Sequence, residues 1–135
     1  MTQIRLTLLL EQMEPAKEAL DLQLWVDTNI KPGEKWLEQI ELGLAQAKVA
    51  VLLVSSKFLA SGFIKAKELP PILNAAENDG LTILWVAVSA CLYEHTPIRD
   101  YQAANDPKRP LDILSAAVRN MELVKICRTI VDAAK

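Results

Sequence analysis

The chain is poor in the residues from which metal centres and disulfide frameworks are built. Its 135 residues include a single histidine, His95, and two cysteines, Cys91 and Cys127. A structural or catalytic zinc site needs three or four suitably spaced ligands, which these scattered residues do not provide. Two cysteines are also too few to frame a disulfide scaffold. We therefore expect no bound metal, and two reduced, partly buried thiols in a cytoplasmic protein.

Glycine is scarce as well, and this disfavours several enzyme classes. The four glycines are Gly33, Gly43, Gly62 and Gly80, and none of them belongs to a Walker or dinucleotide-binding fingerprint. A Ser-His-Asp triad would have to use His95, and no nucleophile elbow is present. P-loop enzymes, metalloenzymes and triad hydrolases are therefore poor interpretations of this sequence.

The sequence also lacks a basic excess and a long apolar run. Fifteen Lys and Arg residues face seventeen Asp and Glu residues, with no basic stripe, so nucleic-acid binding has no electrostatic support. No apolar stretch approaches the roughly 18 residues that span a membrane. The short apolar stretch at the start is not followed by a small-residue cleavage site, so we expect no signal peptide. We expect neither a nucleic acid nor a membrane as a partner.

The sequence does contain enough apolar residues for one folded core. The apolar fraction is 51%, and the length suggests a single domain over residues 1–135. Apolar runs at 22–26, 49–54 and 81–88 predict strands, and a weaker edge strand is expected near 101–104. The run at 49–54 is uniformly apolar, as is typical of a strand covered on both faces. Alternation of strands with helices predicts an α/β fold with a parallel sheet of about four strands flanked by helices.

Helical periodicity fills the segments between these strands. Residues 4–20 carry apolar residues at helical spacing, although Pro15 is a defect and the first ten residues also alternate as a strand would. A further helix follows Trp36. Another is expected over 62–78, capped by Ser61, stopped by Gly80 and broken at its two prolines, Pro70 and Pro71. The closing helix has this predicted inner stripe: Leu114, Val118, Met121, Val124, Cys127 and Val131.

Two polar segments follow strands and are expected to meet at one edge of the sheet. The loop 27–35 follows the strand 22–26, and the helix start at 61–68 follows the strand 49–54. In a parallel α/β sheet, ligands bind at the carboxyl ends of the strands. Glu68 is the sharpest candidate in this crevice, although a solvated surface glutamate would be the ordinary state of this residue type.

The residues in these two segments resemble a known family. The stretch 25–36, which reads Trp-Val-Asp-Thr-Asn-Ile-Lys-Pro-Gly-Glu-Lys-Trp, resembles the BB-loop signature of bacterial Toll/interleukin-1 receptor (TIR) domains. The stretch 53–69 resembles the serine-spaced segment of that family, which leads to Glu-Leu on its helix αC. The stretch 101–111 also looks like bacterial members.

The resemblance implies a flavodoxin-like, three-layer fold and one of two functions. Many bacterial TIR domains cleave NAD⁺ at the nicotinamide–ribose bond, often in antiphage defence, whereas others are self-associating interaction modules. In the enzymes the αC glutamate is catalytic, and that position is Glu68 here. NAD⁺ would be the substrate, with no separate cofactor, and other TIR domains would be partners. By position, the implied NAD⁺-binding residues are Asp27, Trp36, Ser61 and Phe63, and the implied BB-loop contact residues are Ile30, Pro32 and Gly33.

One departure from the family pattern concerns the start of the chain. Family members normally begin with a strand that is central in the sheet, and the loop after it lines the NAD⁺ pocket. Here residues 1–20 resemble the helix that follows that strand, so the domain looks shortened at its N-terminus. Residues 2–10 could replace the strand, its two neighbours could pair directly, or another chain could fill the gap. Direct pairing would displace a wall of the pocket and predicts a poor catalyst.

Overall fold

A computed structural model of the protein describes residues 8–9, 11–16, 24–26, 47–62, 65–66 and 69–134. We call the helical residues 8–9 and 11–16 helix α1. The remaining regular elements are β1 (Leu24–Val26), β2 (Val49–Val54), α2 (Ser56–Ala60), α3 (Leu69–Asn78), β3 (Thr82–Ala87), β4 (Gln102–Ala103) and α4 (Ala116–Ala134). Short 3₁₀ turns lie at Tyr93–His95, Pro97–Asp100 and Leu111–Ile113. Among these helices, none combines the length and the apolar character that crossing a bilayer requires.

The described strands form one parallel sheet in the order β1-β2-β3-β4. The longest register joins β2 to β3 over six residue pairs, from Val49 opposite Thr82 to Val54 opposite Ala87. At the far edge, β4 adds two pairs to β3. The predicted α/β fold with a parallel sheet flanked by helices is confirmed, including the weak edge strand expected near 101–104.

The pairing of β1 answers the question raised by the start of the chain. Leu24 lies opposite Val49, and Val26 lies opposite Val51, so the two strands are direct neighbours. Three arrangements were open: residues 2–10 replace the strand, its two neighbours pair directly, or another chain fills the gap. The structure shows direct pairing of the two neighbours, β1 and β2. Residues 8 and 9 are helical, which favours the helix interpretation of this region over the strand interpretation; residues 1–7 lie outside the described part.

Side chains alternate between the two faces of the sheet and bury both of them. Val49, Val51 and Leu53 of β2 face a layer built from α1 and α4, where Leu9 and Met13 are 1% and 2% exposed. On the opposite face the core contains Ala50, Leu52, Val54, Phe58, Leu69, Ile72, Ala75, Leu81, Ile83, Trp85, Ala87 and Ile98. This gives three layers, with α2, α3 and the 3₁₀ turns Tyr93–His95 and Pro97–Asp100 on one side of the sheet, and α1, α4 and Leu111 on the other.

The inner face of the closing helix differs from its predicted stripe. The buried residues of α4 are Leu123, Ile126, Cys127, Ile130 and Ala134. Val118 and Met121, which the predicted stripe placed inside, are 37% and 64% exposed. Cys127 of the predicted stripe is buried, and Leu114 and Val131 are partly buried against the same core. The buried face is therefore rotated from the predicted one towards Ile126 and Ile130.

The segment between β2 and β3 was expected to hold a helix over 62–78 that breaks at Pro70 and Pro71, and the structure places the start of its second helix at Leu69. Ser55 caps α2 by accepting a hydrogen bond from the Phe58 N–H at 3.2 Å. Residues 65–66 are π-helical, and a new α-helix begins at Leu69. Pro70 and Pro71 stand in the first turn of α3, where N–H groups have no helical partner, so the missing donors cost little. Gly80, with φ of 75°, ends this helix as predicted.

A buried amide fastens β4 to the end of β3. The side chain of Asn105, only 9% exposed, accepts a hydrogen bond from the Ala87 N–H at 2.8 Å. Its amide nitrogen donates to the Ala87 carbonyl at 3.1 Å. The side chain thus takes the place of a neighbouring strand beyond the last ladder pair, Trp85 with Ala103.

Asn105→Ala is expected to lower the free energy of unfolding by roughly 2–4 kcal/mol, because the N–H and C=O of Ala87 lose their partner in a buried setting. Urea unfolding followed by circular dichroism measures this change. Asn120→Ala, at an exposed site on α4, is the matched control and should change stability by less than about 0.5 kcal/mol. Equal stability of the two variants would contradict a fastening role for Asn105.

Candidate functional site

Most of the residues predicted for the site lie outside the described part of the chain. This applies to Glu68, Asp27, Trp36, Phe63, Ile30, Pro32 and Gly33. Their assignments remain predictions. Ser61 is described, and so are the chain segments on either side of Glu68.

Ser61 lies at the junction between α2 and the turn that leads towards Glu68. Its N–H donates to the Phe58 carbonyl at 3.3 Å, and its own carbonyl accepts from the Lys65 N–H at 3.1 Å. Ser61 therefore ends α2 and starts the following turn through its backbone. Ser55, six residues earlier, caps α2 with its side chain. The residues that a Ser61 cap would contact include 63 and 64, which lie outside the described part of the chain, so the predicted cap stays a prediction.

Leu69 fixes the chain directly after Glu68. Its side chain is 8% exposed and belongs to the core beside Phe58 and Ile72. The π-helical residues 65–66 come shortly before it. Short π segments inside helices often occur at functional sites, because they change the direction of the side chains that follow.

A groove lies next to this segment, between α2 and the chain that follows β3. Its larger cleft has a volume of about 640 Å³ and is lined by Ser56, Leu59, Ala60, Ala90, Cys91, Leu92 and Thr96. A smaller cleft of about 260 Å³ is lined by Phe58, Leu59, Lys65, Leu69, His95, Thr96 and Pro97. The two clefts share Leu59 and Thr96, and we call them together the α2 groove. The larger one falls within the roughly 300–1,000 Å³ that is usual for small-molecule sites.

The wall of the α2 groove that follows β3 is held by a buried tryptophan. The ring of Trp85 lies 4.9 Å from that of Tyr93, tilted by 45°. Its indole N–H donates to the Tyr101 carbonyl at 3.0 Å. Thr96 closes the next turn, since its hydroxyl donates to the Tyr93 carbonyl at 2.7 Å and accepts from the Ile98 N–H at 3.3 Å. This wall is therefore built by specific contacts and does not depend on a ligand.

The basic side chains among the described lining of the α2 groove are those of Lys65 and His95. Cys91 lines the larger cleft, and desolvation raises the pKa of its thiol, opposed by a hydrogen bond with the Tyr93 backbone and reinforced by the charge of Glu94. A raised pKa keeps this thiol protonated at neutral pH, so Cys91 is a poor nucleophile there. The groove accordingly offers apolar walls, hydroxyl groups and two basic side chains.

The second cysteine belongs to a different part of the molecule. Burial raises the pKa of Cys127 to about 11. Its thiol lies 3.9 Å from the Leu9 carbonyl, to which it donates, in the layer between α1 and α4. Within the described ranges, no group of three or more His, Cys, Asp or Glu side chains lies close enough together to hold a metal ion.

The sequence analysis did not identify the residues of the α2 groove. Ala90, Cys91 and His95 belong to the irregular stretch after β3, which carries no motif. The available signal was positional, because this stretch follows the carboxyl end of a buried strand and is therefore a place where ligands bind in α/β folds.

The strand order bears on where a crevice can form. In doubly wound sheets, ligands bind at the point where the strand order reverses. The described strands follow one another in sequence order, so no reversal occurs among them. The α2 groove lies instead between the segments that follow the two central neighbours, β2 and β3.

Comparison with known proteins identifies the family. A family model described as a TIR domain matches residues 10–115, which is most of the chain. Neither the curated proteins nor the solved structures include a match. The matched region includes the loop 27–35, the segment 53–69 that leads to Glu68, and every described strand. Together with the parallel, three-layer architecture, this match shows that the chain belongs to the TIR domain family.

Proposed function

We propose that the protein is a TIR-type NAD⁺ nucleosidase that acts in bacterial defence or signalling. The observation that carries this proposal is the α2 groove, whose larger cleft has a volume of about 640 Å³ and whose smaller cleft is lined by Lys65 and Leu69, on either side of Glu68 in the sequence. Membership of the TIR family adds that the residue at this position is the catalytic glutamate in the members that cleave NAD⁺.

Glu68 would act through its charge in this reaction. The bond between C1′ of the ribose and the pyridinium nitrogen breaks, and its electron pair leaves with nicotinamide. Positive charge then develops on the ribose as an oxocarbenium-like state, which a fixed carboxylate stabilises. Attack by water at C1′ with loss of a proton gives ADP-ribose, whereas attack by an adenine nitrogen gives a cyclic product.

Direct assay of the purified protein tests the proposal. NAD⁺ is incubated with the chain, and nicotinamide is measured by liquid chromatography together with linear and cyclic ADP-ribose. Release of nicotinamide in equal amount to the ribosyl products supports the nucleosidase. No release over background, at protein concentrations where self-association is complete, would contradict it.

The second candidate is a non-catalytic TIR interaction module. A specific observation favours it: β1 lies directly against β2, in the place where family members have their first strand. In those members the loop after that strand forms one wall of the NAD⁺ pocket. Where β1 and β2 pair directly, that loop does not stand between them, and a domain without this wall is expected to be a poor catalyst. A module would self-associate in a concentration-dependent manner and release no nicotinamide.

The loop 27–35 is expected to serve either function, because in the family it contacts neighbouring domains and covers the pocket. Gly33→Pro is expected to weaken self-association and to lower any nicotinamide release, since proline fixes φ and removes the backbone donor. Light scattering and NAD⁺ turnover measure the two effects. Lys31→Ala, in the same loop, is the matched control. It retains the backbone N–H and does not restrict φ, so it should change neither measurement. Unchanged values for Gly33→Pro in both measurements would remove this loop from the mechanism.

A further inference from the structure

We propose that a cleft between α1 and α4 binds a small zwitterion with an aliphatic side chain, the class of molecule to which free leucine belongs. This cleft, which we call the α4 cleft, has a volume of about 230 Å³ and lies on the face of the sheet opposite to the α2 groove. It is smaller than the roughly 300–1,000 Å³ usual for drug-sized ligands, which favours a ligand of the size of a single amino acid. Its described lining shares no residue with that of the α2 groove, so the inference does not rest on the proposed function.

The floor of the α4 cleft is apolar. Val124, Cys127 and Val131 supply it from α4, where their spacing places them on one face of the helix. Ala16 supplies it from α1, and this small side chain leaves room opposite the two valines. Cys127 is buried and Val131 packs against the core, so the floor is continuous with the interior of the protein. An aliphatic side chain that lies on this floor is removed from water, which favours binding.

Two opposite charges lie at the mouth of the cleft. Arg128 and Asp132 both line it, and both are exposed. They are one helical turn apart, about 6 Å along the helix axis. Within the part of the chain that the structure describes, these two side chains make no ion pair with each other or with a third residue. An arginine that precedes an acidic residue by four positions is in the less favourable orientation for such a pair, which leaves both charges available to a ligand.

A zwitterion satisfies both charges at once. The planar guanidinium of Arg128 can donate two parallel hydrogen bonds to a carboxylate, and the carboxylate of Asp132 can accept from an ammonium group. A ligand with only one of these charges would leave one of the two side chains without a partner. The presence of both signs at one mouth therefore selects an amino acid over a simple carboxylic acid or amine.

Helix α1 adds polar groups to the same mouth. Gln12 lines the cleft, and its amide can donate and accept. Pro15 also lines it, within the helical residues 11–16. Proline has no N–H, so the carbonyl of Glu11, one turn earlier, receives no hydrogen bond from position 15. Residues four apart lie on the same face of a helix, and this carbonyl is therefore on the side of α1 that faces the cleft. It offers the ammonium group an acceptor in addition to Asp132.

Isothermal titration calorimetry with leucine and two truncated analogues tests the ligand class. Isocaproate lacks the ammonium group of leucine, and isoamylamine lacks its carboxylate, while both keep the branched side chain. We expect leucine to bind at least tenfold more tightly than either analogue, because each analogue loses a charge-assisted hydrogen bond. Equal affinity for leucine and isocaproate would overturn the proposal, since Asp132 would then play no part. Absence of leucine binding at millimolar concentration would also overturn it.

Charge-neutralising variants test the two residues at the mouth. Arg128→Gln and Asp132→Asn are each expected to weaken leucine binding at least tenfold. Their controls are Lys125→Gln, at an exposed position on α4 outside the lining, and Asp79→Asn, at an exposed position just after α3. Both controls should bind leucine as the wild type does. Equal affinities in all four variants would place leucine elsewhere and contradict the assignment.

Filling the cleft tests its floor. Ala16→Trp places a large side chain against the valines and should abolish leucine binding, whereas Ala117→Trp, at an exposed position on α4, should leave it unchanged. Circular dichroism establishes whether each variant is folded, and the two charge variants decide the matter if Ala16→Trp is not. Unchanged leucine binding by folded Ala16→Trp overturns the proposal. So does a dimer that Ala16→Trp disrupts and leucine does not affect, because the cleft would then hold a second copy.

Labelling of Cys127 gives a readout that is independent of calorimetry. This thiol is 7% exposed and has a pKa raised to about 11, so maleimide should reach it slowly, through local separation of α1 and α4. A ligand that binds the closed cleft should slow the reaction further. Cys91, on the opposite face of the sheet, is the internal control, and leucine should not change its rate of labelling. A leucine effect that is absent at Cys127, or equal at both thiols, would contradict binding in the α4 cleft.

Discussion

Replacement of Glu68 by alanine is expected to abolish nicotinamide release from NAD⁺ while the protein stays folded. The glutamate stands between the π-helical residues 65–66 and Leu69, which is anchored in the core. Removing one preorganised group that stabilises transition-state charge typically lowers turnover by about 10²–10³-fold, so the rate of nicotinamide release should fall to the background of the assay. Initial rates of nicotinamide formation, together with the circular dichroism spectrum of each protein, measure both parts of the expectation.

Glu77→Ala is the matched control for this experiment. Glu77 is an exposed glutamate on α3, and its loss should leave turnover within about twofold of wild type. Equal nicotinamide release by wild type and Glu68→Ala would show that Glu68 is not the catalytic carboxylate. Glu68→Gln adds a test of mechanism, because it keeps the shape of the side chain and removes the charge; substantial activity in this variant would contradict an electrostatic role.

Trp85→Ala is expected to lower the free energy of unfolding by about 3–5 kcal/mol. The side chain is 2% exposed, packs beside Tyr93 and donates to the Tyr101 carbonyl, so its loss leaves both a cavity and an unpaired carbonyl. Since whole domains are stable by only about 5–15 kcal/mol, this change is a large share of the total. Denaturant unfolding followed by circular dichroism measures it.

Trp85→Phe separates packing from hydrogen bonding. Phenylalanine keeps an aromatic ring against Tyr93 but cannot donate to Tyr101, so this variant should lose less stability than Trp85→Ala. If Trp85→Ala were as stable as wild type, the wall of the α2 groove would not depend on this residue. Both Trp85 variants should also alter the shape of the α2 groove, because Trp85 packs against Tyr93, and Tyr93 lies in the same wall as Cys91 and His95.

Parts of the fold were predictable because hydrophobic patterns specify which residues are buried. The uniformly apolar run of β2 marked it as a strand covered on both faces, and all six of its residues are buried. The same kind of pattern was less decisive in α4, whose buried face is rotated from the predicted one. Val118 and Met121 were placed inside by spacing, yet they are exposed because the face with Ile126 and Ile130 packs on the sheet.

The neighbour of each strand was not predictable in the same way. Periodicity tells which face of a strand is buried, but it contains no information on which strand lies beside it. Direct pairing of β1 with β2 was therefore one of three open arrangements. The groove was missed for a related reason, because residues such as Ala90 and Leu92 acquire a role from what folds opposite them and not from a motif.

The order of the strands along the sheet has a consequence for how the protein folds. Every described strand lies beside its nearest neighbour in sequence, so no strand has to be inserted between two that have already paired. The unit from β2 to β3 has the longest register and its own helices, which makes it the expected folding nucleus. β1, with three pairs at one edge, would then dock late. Substitutions that weaken β1 should accelerate unfolding and leave the refolding rate nearly unchanged, as stopped-flow measurements in denaturant would reveal.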